Sequence, residues 1–167
     1  MSGQSSQPTD FIDEKITGNG NKMYRVALAI MGNTADAEDV IQDVFVKLIQ
    51  KHPHFESPEH ETAWLIRVTA NLCKDRLKSY WRRNTAPLVE SIAATTDERS
   101  EVLDALHSLP EKYRLVIHLF YYEGYSTREI AEITQQRESA VRAQLTRARQ
   151  KLRINLKGTD EHGYQRI

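Results

Sequence analysis

Apolar side chains in this chain recur every three or four residues and nowhere alternate one by one, which leaves helices as the only regular element able to bury them. The clearest run is Val40, Ile41, Val44, Phe45, Leu48 and Ile49, a wide stripe that predicts one buried helix face. Glycine, proline and capping residues punctuate the pattern. Gly18 to Asn21 break the first segment, so an ordered helix is expected from about Met23 to Met31. Asn33 and Thr34 are N-cap types, and Asp36, Glu38 and Asp39 follow where a helix dipole favours negative charge, predicting a second helix that ends near Lys51. A proline-bearing loop spans His52 to His60, and a long helix is expected from Glu61 to Arg83. Residues 84–96 lack any period and read as a flexible linker. Four further helices are predicted: from Asp97 to Ser108, from Pro110 to Gly124, after Ser126, and after about Arg137. The expected fold is therefore all-α, with two small, independently folding helical domains at 23–83 and 97–157. Residues 1–22 are expected to be partly disordered, and 158–167 form a C-terminal tail.

Formal net charge is zero over the 167 residues, but its distribution is uneven. Residues 1–60 carry 5 basic and 9 acidic side chains, whereas 61–83 carry 6 and 2. The sign reverses again, with 4 basic and 9 acidic in 84–136, then 7 and 1 in 137–157. Two basic segments in an otherwise acidic chain are the footprint of two separate phosphate-binding surfaces.

The first basic segment has its charges in register. Arg67, Asn71, Lys74, Lys78 and Arg82 are spaced 4, 3, 4 and 4 apart, within a band of roughly 80° on one helix face. Leu65, Val68, Leu72 and Cys73 occupy the apolar side. Four cations and one amide suit a nucleic-acid backbone with one polar reader, although a solvated basic face fits the same spacing. Trp64, Tyr80 and Trp81 beside them can stack on unpaired bases.

The second begins at Ser126-Thr-Arg-Glu129, a capping box that opens a short helix with Ile130 and Ile133 inward. Gln135 and Gln136 make a turn, after which Val141, Leu145, Ala148 and Leu152 form one stripe bordered by Arg142, Arg149 and Arg153 on one side and Arg147 and Lys151 on the other. This is a helix-turn-helix pattern, whose second helix can enter a major groove; an ordinary helical hairpin has the same outline. The helix from Ala35 to Lys51 is different: Asp36, Asp39 and Asp43, with Gln42 beside them, give an acidic edge that DNA would repel and a basic protein surface would accept.

Three stretches then resemble a known family: Met31-Gly-Asn-Thr-Ala-Asp-Ala-Glu-Asp-Val-Ile-Gln-Asp-Val-Phe45, Ala63-Trp-Leu-Ile-Arg-Val-Thr-Ala-Asn-Leu-Cys-Lys-Asp-Arg-Leu77, and Leu109-Pro-Glu-Lys-Tyr-Arg114 with Tyr121-Tyr-Glu-Gly-Tyr-Ser-Thr-Arg-Glu-Ile-Ala131 and Leu145-Thr-Arg-Ala-Arg149. Together, and in this order, they resemble the extracytoplasmic-function (ECF) sigma factors, group IV of the main bacterial sigma family. The resemblance implies a region 2 domain that docks on core RNA polymerase and recognises and melts the −10 element, and a region 4 domain that reads the −35 element. It implies docking on the clamp helices of the largest subunit through Asp36, Asp39, Gln42, Asp43 and Phe45, with region 4 on the flap of the second-largest subunit. It places Phe55, Ile66, Val68 and Asn71 at a pocket for a flipped −10 base, alongside Trp64, Arg67, Lys74, Lys78 and Arg82. It assigns −35 contacts to Arg128, Arg137, Glu138, Ala140, Val141, Arg142, Gln144, Arg147 and Arg149. Where family members usually carry Leu-Gly-Ile-Ser in the turn, this chain has Thr134-Gln-Gln-Arg137. An anti-sigma factor, often membrane-linked, is the further partner implied.

Two other classes compete with this one. A stand-alone helix-turn-helix regulator, binding an operator without polymerase, would need a dimerisation helix and a ligand or phosphorylation domain, and neither is evident. An enzyme would need a nucleophile with its base or a phosphate-binding loop; His52, His54 and His60 near Glu56 and Glu59 make only a polar loop. No catalytic residue, cofactor, metal or small-molecule substrate is therefore predicted. The single cysteine, Cys73, excludes an internal disulfide. The longest apolar run, Val26 to Met31, is far below the roughly 20 residues a bilayer span needs, and Met1 to Thr9 lacks the segments of a secretion signal, so a cytoplasmic location is expected.

Overall fold

The computed structural model describes the backbone of residues 8–83 and 97–163, and side-chain environments over 18–83 and 102–154. Among the described residues seven α-helices succeed one another: α1 (Pro8–Met31), α2 (Thr34–Lys51), α3 (Pro58–Arg82), α4 (Asp97–His107), α5 (Glu111–Ile117), α6 (Thr127–Thr134) and α7 (Glu138–Gly163). A π-helical turn, His118–Tyr122, continues α5. The expected linker 84–96 lies outside the described residues, as does the head of the chain, 1–7.

The helix starts follow local chemistry. Asn33 caps α2 by accepting from the Asp36 N–H at 2.8 Å, Ser57 caps α3 by accepting from His60, and Ser126 caps α6 by accepting from Glu129. Pro58 sits at the first position of α3, where its missing N–H costs nothing.

Two expectations about α1 and α7 are corrected. Gly18 to Asn21 do not break the chain: α1 runs through them from Pro8. Each glycine in a helix costs about 1 kcal/mol, but here the Asn19 amide donates to Glu61 Oε1 at 3.3 Å and accepts from Thr62 Oγ1 at 3.2 Å, so tertiary bonds to α3 hold the segment helical. At the other end α7 passes the expected boundary at 157 and continues to Gly163.

The stripe on α2 is narrower than predicted. Ala37, Val40, Val44 and Leu48 are buried against α1 and α3, Ile41 and Phe45 are half-buried, and Ile49 is 51% exposed beside an exposed Val46. Two helices, α1 and α3, bury one ridge of α2 rather than enclosing it, so only the i, i+3, i+4 set turns inward.

The first half is the α1–α2–α3 bundle, and the second packs α5, the π turn, α6 and the early part of α7 around Leu119, Ile130, Val141, Leu145 and Ala148. The two halves touch each other. α1 touches α5 and the π turn, α3 touches α6, and the buried apolar residues of both halves join in one continuous core.

Candidate nucleic-acid and protein interfaces

The basic ridge of α3 faces outward over most of its length. Asn71, Lys74, Lys78 and Arg82 are exposed, while Arg67, at the near end, is half-buried because its Nε donates to the Ile133 carbonyl of α6 at 3.0 Å. At the start of α3 an aromatic corner forms: the Phe55 ring meets His60 and Trp64 edge-on, each at 5.6 Å between centroids. Asn71 lies two turns, or about 10 Å, along the helix from Trp64. Val68 is half-buried against the core. Ile66 corrects the predicted base pocket, because it is fully buried and faces inward between α1 and α6. Its apolar side chain is part of the packing that holds α3.

A cavity of about 190 Å³ opens where α3 meets the second half, lined by Ile66, Arg67, Asn71 and Lys74 on one side and Ile133, Thr134 and Gln136 on the other. Nearby, Cys73 is fully enclosed, and burial pushes its thiol up to about 12, which makes it an inert core residue.

In the helix-turn-helix, Gln135 takes the left-handed conformation (φ 55°) that glycine usually supplies, and the Gln136 N–H closes α6 on the Ala131 carbonyl at 2.9 Å. The first turn of α7 is braced by Glu138, whose Oε1 accepts from Thr127 Oγ1 at 2.9 Å and from Arg142 at 2.7 Å. Gln144 donates to Gln136 at 2.7 Å across the same turn. Arg137, Ser139 and Arg147 are exposed, and among the described residues their side chains make no hydrogen bond or ion pair. Arg128 is exposed and loosely paired with Glu132 at 3.8 Å, and Ala140 is half-buried. Val141 is corrected: it is fully buried, on the stripe that fastens α7 to α5 and α6. Arg149, too, is less available than its spacing implied. Its Nε donates to Tyr121 at 2.6 Å and its guanidinium lies over the rings of Phe120 and Tyr121, so the π turn holds it. The spacing gave no hint of Ser139 as an exposed first-turn hydroxyl.

The acidic edge of α2 exists, but α3 partly neutralises it. Arg76 pairs with Asp43 at 2.8 Å and approaches Asp39 at 3.7 Å, while Tyr80 and Asn33 both donate to the Asp36 carboxylate. These bonds hold the Arg76 guanidinium and the Tyr80 hydroxyl above their ordinary values, the Asp43 and Asp36 hydrogen bonds being the main causes. Arg76 and Tyr80 fall off the basic ridge, and only the packing of α2 on α3 reveals their role. Gln42, Val46 and Ile49 remain exposed beside the carboxylates and Phe45 is half-buried, so this surface is mixed polar and apolar.

Among the described residues no group of three or more His, Cys, Asp or Glu could hold a metal ion, and no helix is long and apolar enough to cross a membrane.

A helical bundle carrying an outward basic ridge, coupled to a helix-turn-helix with a second basic helix, defines a class of two-part DNA-binding proteins. Comparison with known proteins narrows it. Residues 16–83 match the family model of Sigma-70 region 2, and residues 99–152 that of Sigma-70, region 4. The ECF RNA polymerase sigma factor SigL of Mycobacterium tuberculosis is 32% identical over 146 residues, covering 80% of this chain and 82% of that one. The probable RNA polymerase sigma factor RfaY of Xanthomonas campestris is 29% identical over 156 residues, 84% of this chain; the chain spans only 39% of that longer relative. The fold resembles that of the sigma factor RpoE from Bartonella quintana, solved in complex with the anti-sigma factor NepR, with a TM-score of 0.72 at 21% identity over 89% of this chain and 98% of the other. The chain belongs to the ECF sigma factors. The stand-alone regulator is accordingly not favoured.

Proposed function

We propose that this chain directs promoter-specific initiation by RNA polymerase: α2 docks on the core enzyme, the loop and ridge of α3 recognise and melt the −10 element, and α7 reads the −35 element. The observation that carries the reading is the pair of outward basic helices, α3 and α7, each seated in a segment matching a different sigma region. Phosphate contacts fall to Lys74, Lys78 and Arg82 on α3 and to Arg137, Arg142 and Arg147 on α7. Asn71 is the polar reader of an exposed base, with Phe55 and Trp64 as a stacking corner. The α2 surface of Asp36, Asp39, Gln42, Asp43 and Phe45, widened by exposed Val46 and Ile49, suits the clamp helices of the largest subunit, and the second half suits the flap of the second-largest. Promoter DNA, core polymerase and an anti-sigma factor are the partners, the setting is cytoplasmic, and no residue is assigned a catalytic role.

Run-off transcription with core polymerase tests the reading: the protein is expected to give defined start sites only when core enzyme is present. Asn71→Ala is expected to lower open-complex formation about tenfold, as losing one base contact worth about 1–3 kcal/mol would, while leaving initial polymerase binding intact. Equal losses at both steps would remove Asn71 from the base-reading role.

A further inference from the structure

The arginines at the start of α7 differ in how firmly they are held. Arg137 and Arg147 carry no side-chain hydrogen bond or ion pair among the described residues, but Arg142 does. Its Nη2 donates at 2.7 Å to Glu138 Oε1, one helix turn back, and the same oxygen accepts from Thr127 Oγ1 at 2.9 Å. Thr127 opens α6, so the carboxylate is tied to the other helix of the helix-turn-helix as well as to its own. An exposed ion pair one turn apart contributes little by itself; the third partner is what gives Glu138, and through it Arg142, a fixed place. The neighbouring amide is committed elsewhere: Gln144 Nε2 donates to Gln136 at 2.7 Å and its Oε1 is buried. Arg142 remains exposed, while Val141 beside it is fully buried and anchors the turn that carries it.

We infer that Glu138 is a positioning residue that holds the Arg142 guanidinium for a single guanine of the −35 element, adding base reading to the phosphate role of that arginine. The inference rests on the proposed role of α7 at that element. Glu138 uses only part of the planar guanidinium, and the N–H groups left over are all donors. Guanine alone presents two adjacent acceptors, N7 and O6, in the major groove, whereas adenine sets beside its N7 a donor that arginine cannot meet. A guanidinium free to rotate meets phosphate and base alike; one already fixed loses less freedom on forming both bonds, which turns a nonspecific cation into a reader. Glu138 Oε1 already accepts from two donors, and its negative charge, which phosphates would repel, is offset by the arginine it holds.

The test immobilises the full chain, alone and with core polymerase, and sequences the duplexes it retains from a random-sequence DNA library. Wild type is expected to prefer guanine about tenfold at one position, as a bidentate arginine contact would give, and Arg142→Ala is expected to abolish that preference and so identify the position. Glu138→Ala is expected to cut the preference at the same position to about threefold or less, while total retained DNA rises because a negative charge has left the DNA-facing helix. A merely structural role would instead weaken every position together. Glu138→Gln keeps an acceptor for both Thr127 and Arg142 and is expected to retain most of the guanine preference. A retained pool without sequence preference, an Arg142→Ala profile that leaves every guanine position intact, or a Glu138→Ala profile that changes a different position or all positions alike overturns the inference. If Glu138→Ala loses its helical circular dichroism, Thr127→Val, which cuts the anchor and leaves both charges, decides by the same reading. Run-off transcription by wild type tests the sigma role separately: a guanine preference lost in both Arg142→Ala and Glu138→Ala upholds the pair even if the chain directs no transcription.

Discussion

Asn33 links the helix that carries the proposed polymerase surface to the residue that leads it, and its contribution separates into two bonds. Its Oδ1 accepts from the Asp36 N–H and its Nδ2 donates to the Asp36 carboxylate, both at 2.8 Å, with Asn33 itself only 5% exposed. Replacing an N-cap by alanine costs about 1 kcal/mol, and losing a hydrogen bond to a charged group about another 1 kcal/mol where the acceptor keeps other partners. Asp36 does keep one, the Tyr80 hydroxyl. Asn33→Ala is therefore expected to lose about 2 kcal/mol, or roughly 4–8 °C in Tm for a chain of this size. Asn33→Ser retains a hydroxyl for the cap but no amide donor, and is expected to lose about half as much. Urea unfolding followed by circular dichroism measures both, with the midpoint falling and the slope unchanged. If serine and alanine are equally destabilising, or if alanine costs less than about 0.5 kcal/mol, Asn33 is not acting through these two bonds.

Gly32 and Gly124 both have positive φ, 82° and 76°, but a Cβ at Gly32 would lie 3.1 Å from His107 Nδ1, while one at Gly124 would meet nothing within 4 Å. Gly124→Ala is thus expected to lose the backbone strain alone, about 1–2 kcal/mol, and Gly32→Ala measurably more in the same urea titration; equal losses would refute a packing role for His107. Burial holds His107 and His118 below their ordinary value of 6.5, outweighing Glu123, which acts to raise His118. A histidine whose folded value is depressed contributes stability that is complete above 6.5 and falls as pH drops below it, because the unfolded chain takes up the proton first. Midpoints are expected to hold from pH 8 to 7 and decline toward pH 5.5, with His118→Gln flattening the slope; a midpoint that rises on acidification would reverse the sign.

The helical spacing, the caps at Asn33 and Ser126 and the uneven charge were enough to identify an all-α chain with two basic helices and one acidic edge, because those features are local and repeat with the period of the element they build. Side chains whose role depends on the partner helix escaped that reading. Ile66 and Val141 sit at positions the family resemblance assigned to DNA, yet both point into the core, since a helix packed on several neighbours buries more than one stripe. Gly18 to Asn21 read as a break because propensity is a property of the segment alone, whereas the bonds from Asn19 to α3 come from residues more than forty positions away. The seam joining Arg25 to Glu123 and Arg67 to Ile133 was equally invisible: each link spans between 66 and 98 positions, and no periodicity encodes a contact between elements so far apart. Local chemistry thus determined where most helices start and what charge they carry, while the tertiary packing decided that α1 continues through Gly18 to Asn21 and which helix faces meet water and which meet each other.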